Sequence, residues 1–206
     1  PDQSIGPMTG DNRIATSPDG RYIAYQAGRF PSSRIYIRAT DERTARVITP
    51  EADLAFEPFF SPDSQELGYL DRNTGELKRI ALPDGSPQVI ATVVGVCCTG
   101  IVWGPNESIV YSLLNSGLFE QPLGGGPAIP LTKLDSLNSE RTHRHPQFIA
   151  GTNDLLFTIG KTSDRWWDEA DIGLFLRESN EHLIILPGGR DAHYVPTGHL
   201  VYGNNE

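Results

Sequence analysis

Histidines have the widest chemical scope in this sequence, because neutral imidazole binds metal ions and imidazolium binds anions. His143 and His145 stand two residues apart, a spacing that places two side chains on one face of a strand, where both could ligate a metal. The alternative, which we prefer, is that both lie in a loop entering a strand and bond to main-chain groups. His199, in a turn before a strand, is interpreted as structural. No metal ion or cofactor is therefore predicted.

The motifs of common catalytic machineries are missing from the sequence. There is no Gly-x-Ser-x-Gly of a serine hydrolase, and no His-Arg-Asp or Asp-Phe-Gly of a protein kinase. Cys97 and Cys98 are adjacent, where a disulfide would be strained, and no Cys-x-x-Cys accompanies them. We interpret them as small buried residues. The sequence predicts that this segment is not an enzyme, although a catalytic domain could be linked to it.

The composition is that of one globular unit. The chain has 206 residues, of which 38% are hydrophobic and 21% charged, so it can bury a core. Its formal net charge of -9 repels phosphate backbones, and no nucleic-acid partner is expected. No apolar run reaches the ~20 residues of a membrane-spanning helix, and no signal peptide is recognisable. Because the sequence begins at Pro1, we expect a processed or excised piece.

A recurring stretch organises the elements that must position these side chains. It occurs first as Ser17-Pro18-Asp19-Gly20 and again as Ser61-Pro62-Asp63-Ser64, with looser copies further along. Five anchor positions follow at steps of 44, 43, 45 and 46 residues. A fixed period in this range, with four strands per repeat, is typical of β-propeller blades. The anchors are Pro18, Pro62, Pro105, Ala150 and Pro196.

We predict an all-β propeller fold, present as about four and a half four-stranded blades. Second strands such as Leu155–Phe157 are nearly all apolar, as strands covered on both faces are. No stretch shows sustained helical periodicity. The predicted segments are a linker or arm at 1–12 and a partial propeller at 13–206, with repeats at about 13–50, 57–91, 100–132, 145–186 and 191–206.

The sequence resembles a known group of proteins at these motifs. The Ser-Pro-Asp-Gly turn followed by Ile23-Ala24-Tyr25 resembles the TolB-like, WD-repeat-like propeller repeat of bacteria. Four stretches resemble the propeller found C-terminal to many bacterial serine/threonine protein kinases: Phe59–Asp63, Trp103–Asn106, His143–Gln147 and Tyr194–Tyr202. The resemblance extends from about residue 13 to the end. It implies a six-bladed propeller with a binding or sensory role, often in an extracytoplasmic position across a membrane from a kinase domain. Because six blades of ~45 residues need about 270 residues, we expect an open piece that self-associates through exposed strand edges.

The predicted binding surface consists of the loops leading into the inner strands, because such loops crowd around one mouth of a propeller. The positions five residues before each anchor are Arg13, Glu57, Gly100, His145 and Asp191. This mixed set is a poor metal cage, which favours binding over metal-dependent catalysis. With their neighbours, the candidate ligand-binding residues are Arg13, Glu57, Thr99, His143, Arg144, His145, Asp191 and His193.

The predicted function is a non-catalytic module that binds a protein, a peptide or a small ligand, as the sensor or interaction part of a larger bacterial protein such as a receptor-type kinase. Arg144 is the expected clamp for an acidic side chain or a C-terminal carboxylate, because its guanidinium fork matches a carboxylate. The alternative is that these charges only solvate the mouth and pair with one another.

Trp166 and Trp167 mark a second candidate contact, because they lie in the longest predicted loop and exposed aromatic side chains anchor partners. The alternative is that they pack against the propeller rim. A different functional class also stays open. It is a lactonase- or hydrolase-like enzyme with a metal-dependent site in the central funnel, or the propeller of a prolyl-oligopeptidase-like peptidase.

Overall fold

The computed structural model describes residues 14–28, 31–93, 97–162, 170–195 and 197–204, with residues 97 and 98 described by their main chain. All regular structure within these ranges is β-strand, as the sequence predicts. Since these ranges contain no helix, they also contain none that is long and apolar enough to cross a membrane. The chain divides into two compact units, Pro1–Val94 and Gly95–Glu206.

The first unit contains two four-stranded antiparallel sheets whose strands follow chain order. The first sheet consists of β1 (Ile14–Thr16), β2 (Tyr22–Ala27), β3 (Arg34–Ala39) and β4 (Arg46–Val47). The second consists of β5 (Ala55–Phe60), β6 (Glu66–Asp71), β7 (Glu76–Ala81) and β8 (Gln88–Thr92).

The second unit contains two further four-stranded sheets and a two-stranded one. The third sheet consists of β9 (Cys97–Trp103), β10 (Ser108–Leu113), β11 (Leu118–Pro122) and β12 (Ile129–Pro130). The fourth consists of β13 (Glu140–Phe148), β14 (Leu155–Lys161), β15 (Asp171–Leu176) and β16 (Glu181–Leu186), and the last pairs β17 (Arg190–Val195) with β18 (His199–Gly203). Antiparallel sheets of four consecutive strands are the blades of a β-propeller, and the predicted fold is confirmed.

The repeated turn between the first two strands of a sheet is held by hydrogen bonds over a few residues. The Ser17 hydroxyl donates to Asp19 (2.6 Å) and accepts from the N–H of Tyr22 (2.9 Å). The hydroxyl of Ser17 and the N–H of Arg21 hold the pKa of the Asp19 carboxyl below its usual range. Gly20 closes the turn with φ +71°, a conformation that favours glycine.

The second copy of this turn keeps the geometry although a serine replaces its glycine. Ser64 adopts φ +63°, and the hydrogen bond from Ser61 to Asp63 is again 2.6 Å long. The Ser64 hydroxyl accepts a hydrogen bond of 3.1 Å from the N–H of Asp19 in the preceding sheet. This bond between neighbouring turns offsets part of the cost of the left-handed backbone.

Apolar residues between adjacent sheets form the core of each unit. In the first unit, Ile35 and Ile37 pack against Leu67 and Tyr69 of the second sheet. In the second unit, neighbouring residues of β14 enter two different clusters. Phe157 packs toward the third sheet, whereas Leu156 packs toward β17 and β18. Alternation along β14 thus buries both faces of this strand, which confirms the interpretation of its continuous apolar run.

Candidate functional site

Bulges interrupt the first strand of four sheets at equivalent positions. The pairing register shifts around Glu57 in β5, Gly100 in β9, His145 in β13 and Asp191 in β17. All four residues have positive φ, of +53°, +112°, +48° and +50° in that order. They are four of the positions that lie five residues before a repeat anchor. Bulges re-aim side chains and are frequent beside binding sites.

The sequence-based placement of these residues in loops is wrong. The first strands of these sheets begin earlier than the repeat pattern suggests. The described residues that were assigned to loops therefore lie inside strands, namely Glu57, Thr99, His143, Arg144, His145, Asp191 and His193. Each bulge adds unpaired residues to its strand and breaks the alternation of polar and apolar side chains. The pattern before each bulge therefore resembles a loop, although the main chain continues the sheet.

Three of the bulged strands lie side by side in the second unit and bring predicted site residues together. We call Gly100, His145, Asp191 and His193 the bulge cluster. The His193 Nε2 lies 3.3 Å from Asp191 Oδ1, and the His145 Nδ1 lies 4.0 Å from the same oxygen. The side chains of Asp191 and His193 are about half exposed, at 56% and 50%. A ligand in solvent can therefore reach this carboxylate and its imidazole neighbour.

Main-chain anchors fix the position of this cluster. The N–H of Asp191 donates to the Thr158 hydroxyl of β14 (2.8 Å), and the N–H of Tyr194 donates to Oε1 of Gln147 (2.7 Å). Both bonds join β17 to the fourth sheet. The two strands that carry Asp191 and His145 are thus held in one register.

Electrostatics within the bulge cluster favour an ion pair. The hydrogen bond from His193, together with the charges of His145 and Arg190, holds the pKa of the Asp191 carboxyl below its usual range despite partial burial. The same hydrogen bond raises the pKa of His193. Asp191 is therefore ionised, and His193 keeps its proton to a higher pH than a free histidine does.

Gly100 allows the close approach of β9 and β13. A Cβ on Gly100 would lie 2.7 Å from the Cα of His145 and 2.8 Å from its N. We expect Gly100→Ala to lower the free energy of unfolding by about 2–3 kcal/mol, through left-handed strain and main-chain overlap. Gly125→Ala is the matched control, because Gly125 has φ +93° and open space around it. Urea denaturation that gives equal losses for both variants would show that the contact with His145 contributes nothing.

The remaining predicted site residues have different local environments, where the structure describes them. Glu57 belongs to the first unit and is almost fully buried. Thr99 is tied to β10, since its N–H donates to the Ser112 hydroxyl at 2.9 Å. Arg144 precedes His145 and is partly exposed. Three predicted site residues, Arg13, Trp166 and Trp167, lie outside the described residues, and their roles stay predictions.

His143 does not join the bulge cluster, contrary to the sequence-based grouping. It is fully buried against the ring of Phe157, with the ring centroids 4.6 Å apart, on the face of β13 that packs toward the third sheet. Its neighbours there are Glu140, three residues earlier, and His182 of β16. We call Thr132, Glu140, His143 and His182 the Glu140 cluster.

Hydrogen bonds connect every member of the Glu140 cluster. The carboxylate of Glu140 lies 3.0 Å from Nε2 of His143 and 3.1 and 3.2 Å from Nε2 of His182. It also accepts from the N–H of Asp135 at 2.6 Å. Burial opposes ionisation, but these donors outweigh it and hold the pKa of Glu140 well below its usual range.

The bonds around Thr132 indicate the tautomer of His143. The Thr132 hydroxyl accepts from the N–H of Leu118 (2.8 Å) and lies 2.7 Å from Nδ1 of His143. The ionised Glu140 carboxylate only accepts, so Nε2–H of His143 donates to it, and Nδ1 of the neutral ring accepts from the Thr132 hydroxyl. Burial lowers the pKa of His143, in keeping with a neutral ring. Contact with Glu140 raises the pKa of His182.

Glu140 and His182 were missed by the sequence-based reasoning. Glu140 is three residues from His143, but His182 lies on the outermost strand of the same sheet, and no local pattern joins it to them. A cavity of about 670 Å³ adjoins the cluster. Thr132, Asp135 and His182 lie on its wall, together with Phe175 and Glu181.

No protein-family model matches this sequence, and no curated protein is significantly similar to it. Solved structures do match. TolB from Acinetobacter baumannii superimposes with a TM-score of 0.75 at 17% identity, over 95% of this chain and 49% of that one. The nidogen propeller of a nidogen/laminin complex gives 0.67 at 12% identity, over 93% and 70%. A gluconolactonase from Xanthomonas campestris gives 0.55 at 16%, over 76% and 58%.

These similarities concern the fold. This chain spans about half the length of the Acinetobacter TolB, and the identities are low. The matching proteins include an enzyme, the gluconolactonase, and a non-enzyme, TolB. The shared fold therefore neither assigns catalysis to this chain nor excludes it. The chain has the β-propeller fold of TolB-like proteins.

Proposed function

We propose that this chain is a non-catalytic binding module that receives a carboxylate-bearing peptide or protein segment at the bulge cluster. The observation that carries this proposal is a local excess of positive charge on a chain whose formal net charge is -9. Arg144 and Arg190 flank the cluster on β13 and β17, and Asp191 is the carboxylate between its two imidazoles. Protonation of His145 or His193 increases the excess further.

The rigidity of the bulge cluster supports a recognition role. His145 and Asp191 both occupy left-handed conformations, each of which costs about 1–3 kcal/mol. Such strain persists where the surrounding structure imposes it, and it is frequent at binding sites. Side chains held by strands lose little entropy when a ligand binds, because they are already ordered.

Arg144 is the group that we assign to the ligand carboxylate. A guanidinium binds a carboxylate through two parallel hydrogen bonds, which neither imidazole can do. Asp191 takes the position of a counter-charge that orients His193. In the complex, the cationic groups of the site thus have one carboxylate from Asp191 and a second from the ligand.

The comparisons support a binding role of this kind without naming a ligand. The nidogen propeller was solved in a complex with laminin, so a propeller of this type is compatible with a protein partner. The resemblance to kinase-linked propellers adds the proposal that the module serves as the sensor of a larger bacterial protein. The proposed protein partner and the proposed sensor role both depend on binding at the bulge cluster.

The double variant Arg144→Ala/His145→Ala tests the site. We expect it to bind carboxylate peptides about 10- to 100-fold more weakly, the range for loss of a charge-assisted hydrogen bond. The probe is an array of peptides with free C-terminal carboxylates and its amidated counterpart, measured by fluorescence polarisation. The matched control is Arg141→Ala/His199→Ala, which removes an exposed arginine and an exposed histidine away from the cluster. Equal binding by both double variants contradicts the assignment of the bulge cluster.

The pH dependence of binding provides a second test. Contact with Asp191 raises the pKa of His193, and His145 and Arg190 also face that carboxylate. An imidazolium attracts the ligand carboxylate below its pKa, and the attraction is lost as the pH rises through the raised pKa. We therefore expect affinity to fall as the pH rises, with the fall centred above the ordinary histidine pKa of about 6.5. A flat profile in the parent protein contradicts a role for these histidines.

A further inference from the structure

We propose that the Glu140 cluster is a zinc site, with Glu140, His143 and His182 as its three protein ligands. This site is separate from the bulge cluster. It lies on the face of the fourth sheet that packs toward the third, whereas β17 packs against the opposite face. The proposal goes beyond the proposed binding function and does not depend on it.

The distances from the Glu140 carboxylate to the two imidazole nitrogens are close to those of a metal centre. In a tetrahedral zinc site with bonds of about 2.0–2.1 Å, neighbouring ligand atoms are about 3.3 Å apart. The Glu140 carboxylate oxygens lie 3.0 Å from His143 Nε2 and 3.1 and 3.2 Å from His182 Nε2. The ligand atoms of all three residues are within 4.8 Å of one another. Binding of an ion requires the two imidazole nitrogens, which are at most 4.8 Å apart, to approach to about 3.3 Å.

The groups behind the ligands fit a metal centre as well. A histidine that binds zinc through Nε2 needs an acceptor for its Nδ1–H, and such partners orient the ring. The Thr132 hydroxyl lies 2.7 Å from His143 Nδ1 and can accept that bond. The N–H of Asp135 holds Glu140 in the same way, at 2.6 Å. Zinc binding would move the His143 proton from Nε2 to Nδ1, which gives the site a spectroscopic signature.

The donor set selects the class of ion. Two imidazole nitrogens and one carboxylate suit zinc and related transition ions, whereas calcium and magnesium prefer sites made of oxygen ligands alone. Burial of Glu140 and His143 keeps water away from two of the three ligands. His182 lines the cavity beside the cluster, so a fourth ligand reaches the ion from that side. Three protein ligands with one open position is the arrangement in which zinc binds a water molecule or a small ligand.

The experiment titrates the full chain, without a histidine tag and after treatment with a chelator, with zinc and with cobalt as a spectroscopic probe. We expect one ion per chain and the intense visible bands of four-coordinate cobalt. His182→Gln should abolish the bands and weaken zinc binding at least about 100-fold, because it removes a ligand rather than a supporting group. His199→Gln, at an exposed histidine outside both clusters, is the matched control and should bind zinc as the parent does. The proposal is overturned if the parent protein takes up no zinc. It is also overturned if His182→Gln and the control variant bind zinc with equal affinity.

Thr132 gives a test that spares the ligands themselves. Thr132→Val should weaken zinc binding by about 10- to 100-fold, the usual range for loss of a group that orients a ligand. Thr132→Ser keeps the hydroxyl and should restore the parent affinity. Histidine nitrogen chemical shifts should show the His143 proton on Nε2 without zinc and on Nδ1 with it. If His143 retains its Nε2 proton in the presence of saturating zinc, the cluster is a hydrogen-bond network with a structural role only. This result overturns the assignment of a zinc site.

Discussion

Replacement of Phe157 by alanine is expected to lower the free energy of unfolding by about 3–5 kcal/mol, the range for a buried aromatic residue. Phe157 is fully buried in the core of the second unit, between the third and fourth sheets. Its ring contacts His143 at a centroid distance of 4.6 Å and His182 at 5.7 Å. The ring also fills the space over Gly173, where a Cβ would lie 2.6 Å from its Cζ.

Urea denaturation followed by circular dichroism measures this loss. The control is Leu137→Ala, because Leu137 is 95% exposed and its loss should change the free energy of unfolding by less than about 0.5 kcal/mol. Phe157→Leu keeps part of the volume and should fall between the two. A loss below about 1 kcal/mol for Phe157→Ala would show that the third and fourth sheets do not pack as described.

Replacement of Lys78 by methionine is expected to destabilise the first unit by about 3 kcal/mol, because it leaves buried carboxylates without their cation. The Lys78 ammonium lies 2.8 Å from Asp71 and 3.1 Å from Asp53, whose side chains are 2% and 9% exposed. Asp53 also accepts the Tyr69 hydroxyl at 2.6 Å. Methionine retains most of the apolar stem, so the loss reports the charge rather than the packing.

Hydrogen exchange of the amides in β6 and β7 localises this effect to the first unit. Lys133→Met is the matched control, because Lys133 is exposed and should change stability by less than about 0.5 kcal/mol. Protection that is unchanged in Lys78→Met would contradict a structural role for the ion cluster. Faster amide exchange throughout the second unit would contradict the expectation that Lys78→Met destabilises only the first unit.

Local interactions explain why the fold class was readable from the sequence. The Ser-Pro-Asp turn is held by bonds between residues two to five positions apart, such as those joining Ser17 to Asp19 and Tyr22. Such bonds depend on residue order alone, so the motif marks each blade wherever the chain goes. The apolar run at Leu155–Phe157 is equally local, and it indicated burial on both faces before any partner was known.

The candidate sites depended on contacts that no local pattern carries. The repeat period correctly aligned Glu57, Gly100, His145 and Asp191, but the bulges that place them inside strands are visible only from the pairing register. Positive φ at three non-glycine residues in this set has no signature in residue type. Sequence analysis therefore predicted equivalent positions and assigned them the wrong local structure.

The sequence by itself determined the blades of this protein, because turn chemistry and strand alternation act between near neighbours. The tertiary structure decided which polar side chains meet. His143 was grouped with His145 by proximity in the chain, yet β13 directs it to Glu140 and to His182 of β16, whereas His145 meets Asp191 of β17. Strand register and sheet stacking determine such meetings, and both depend on residues dozens of positions apart. A side chain on a strand takes its chemistry from the neighbouring strand or sheet that it faces.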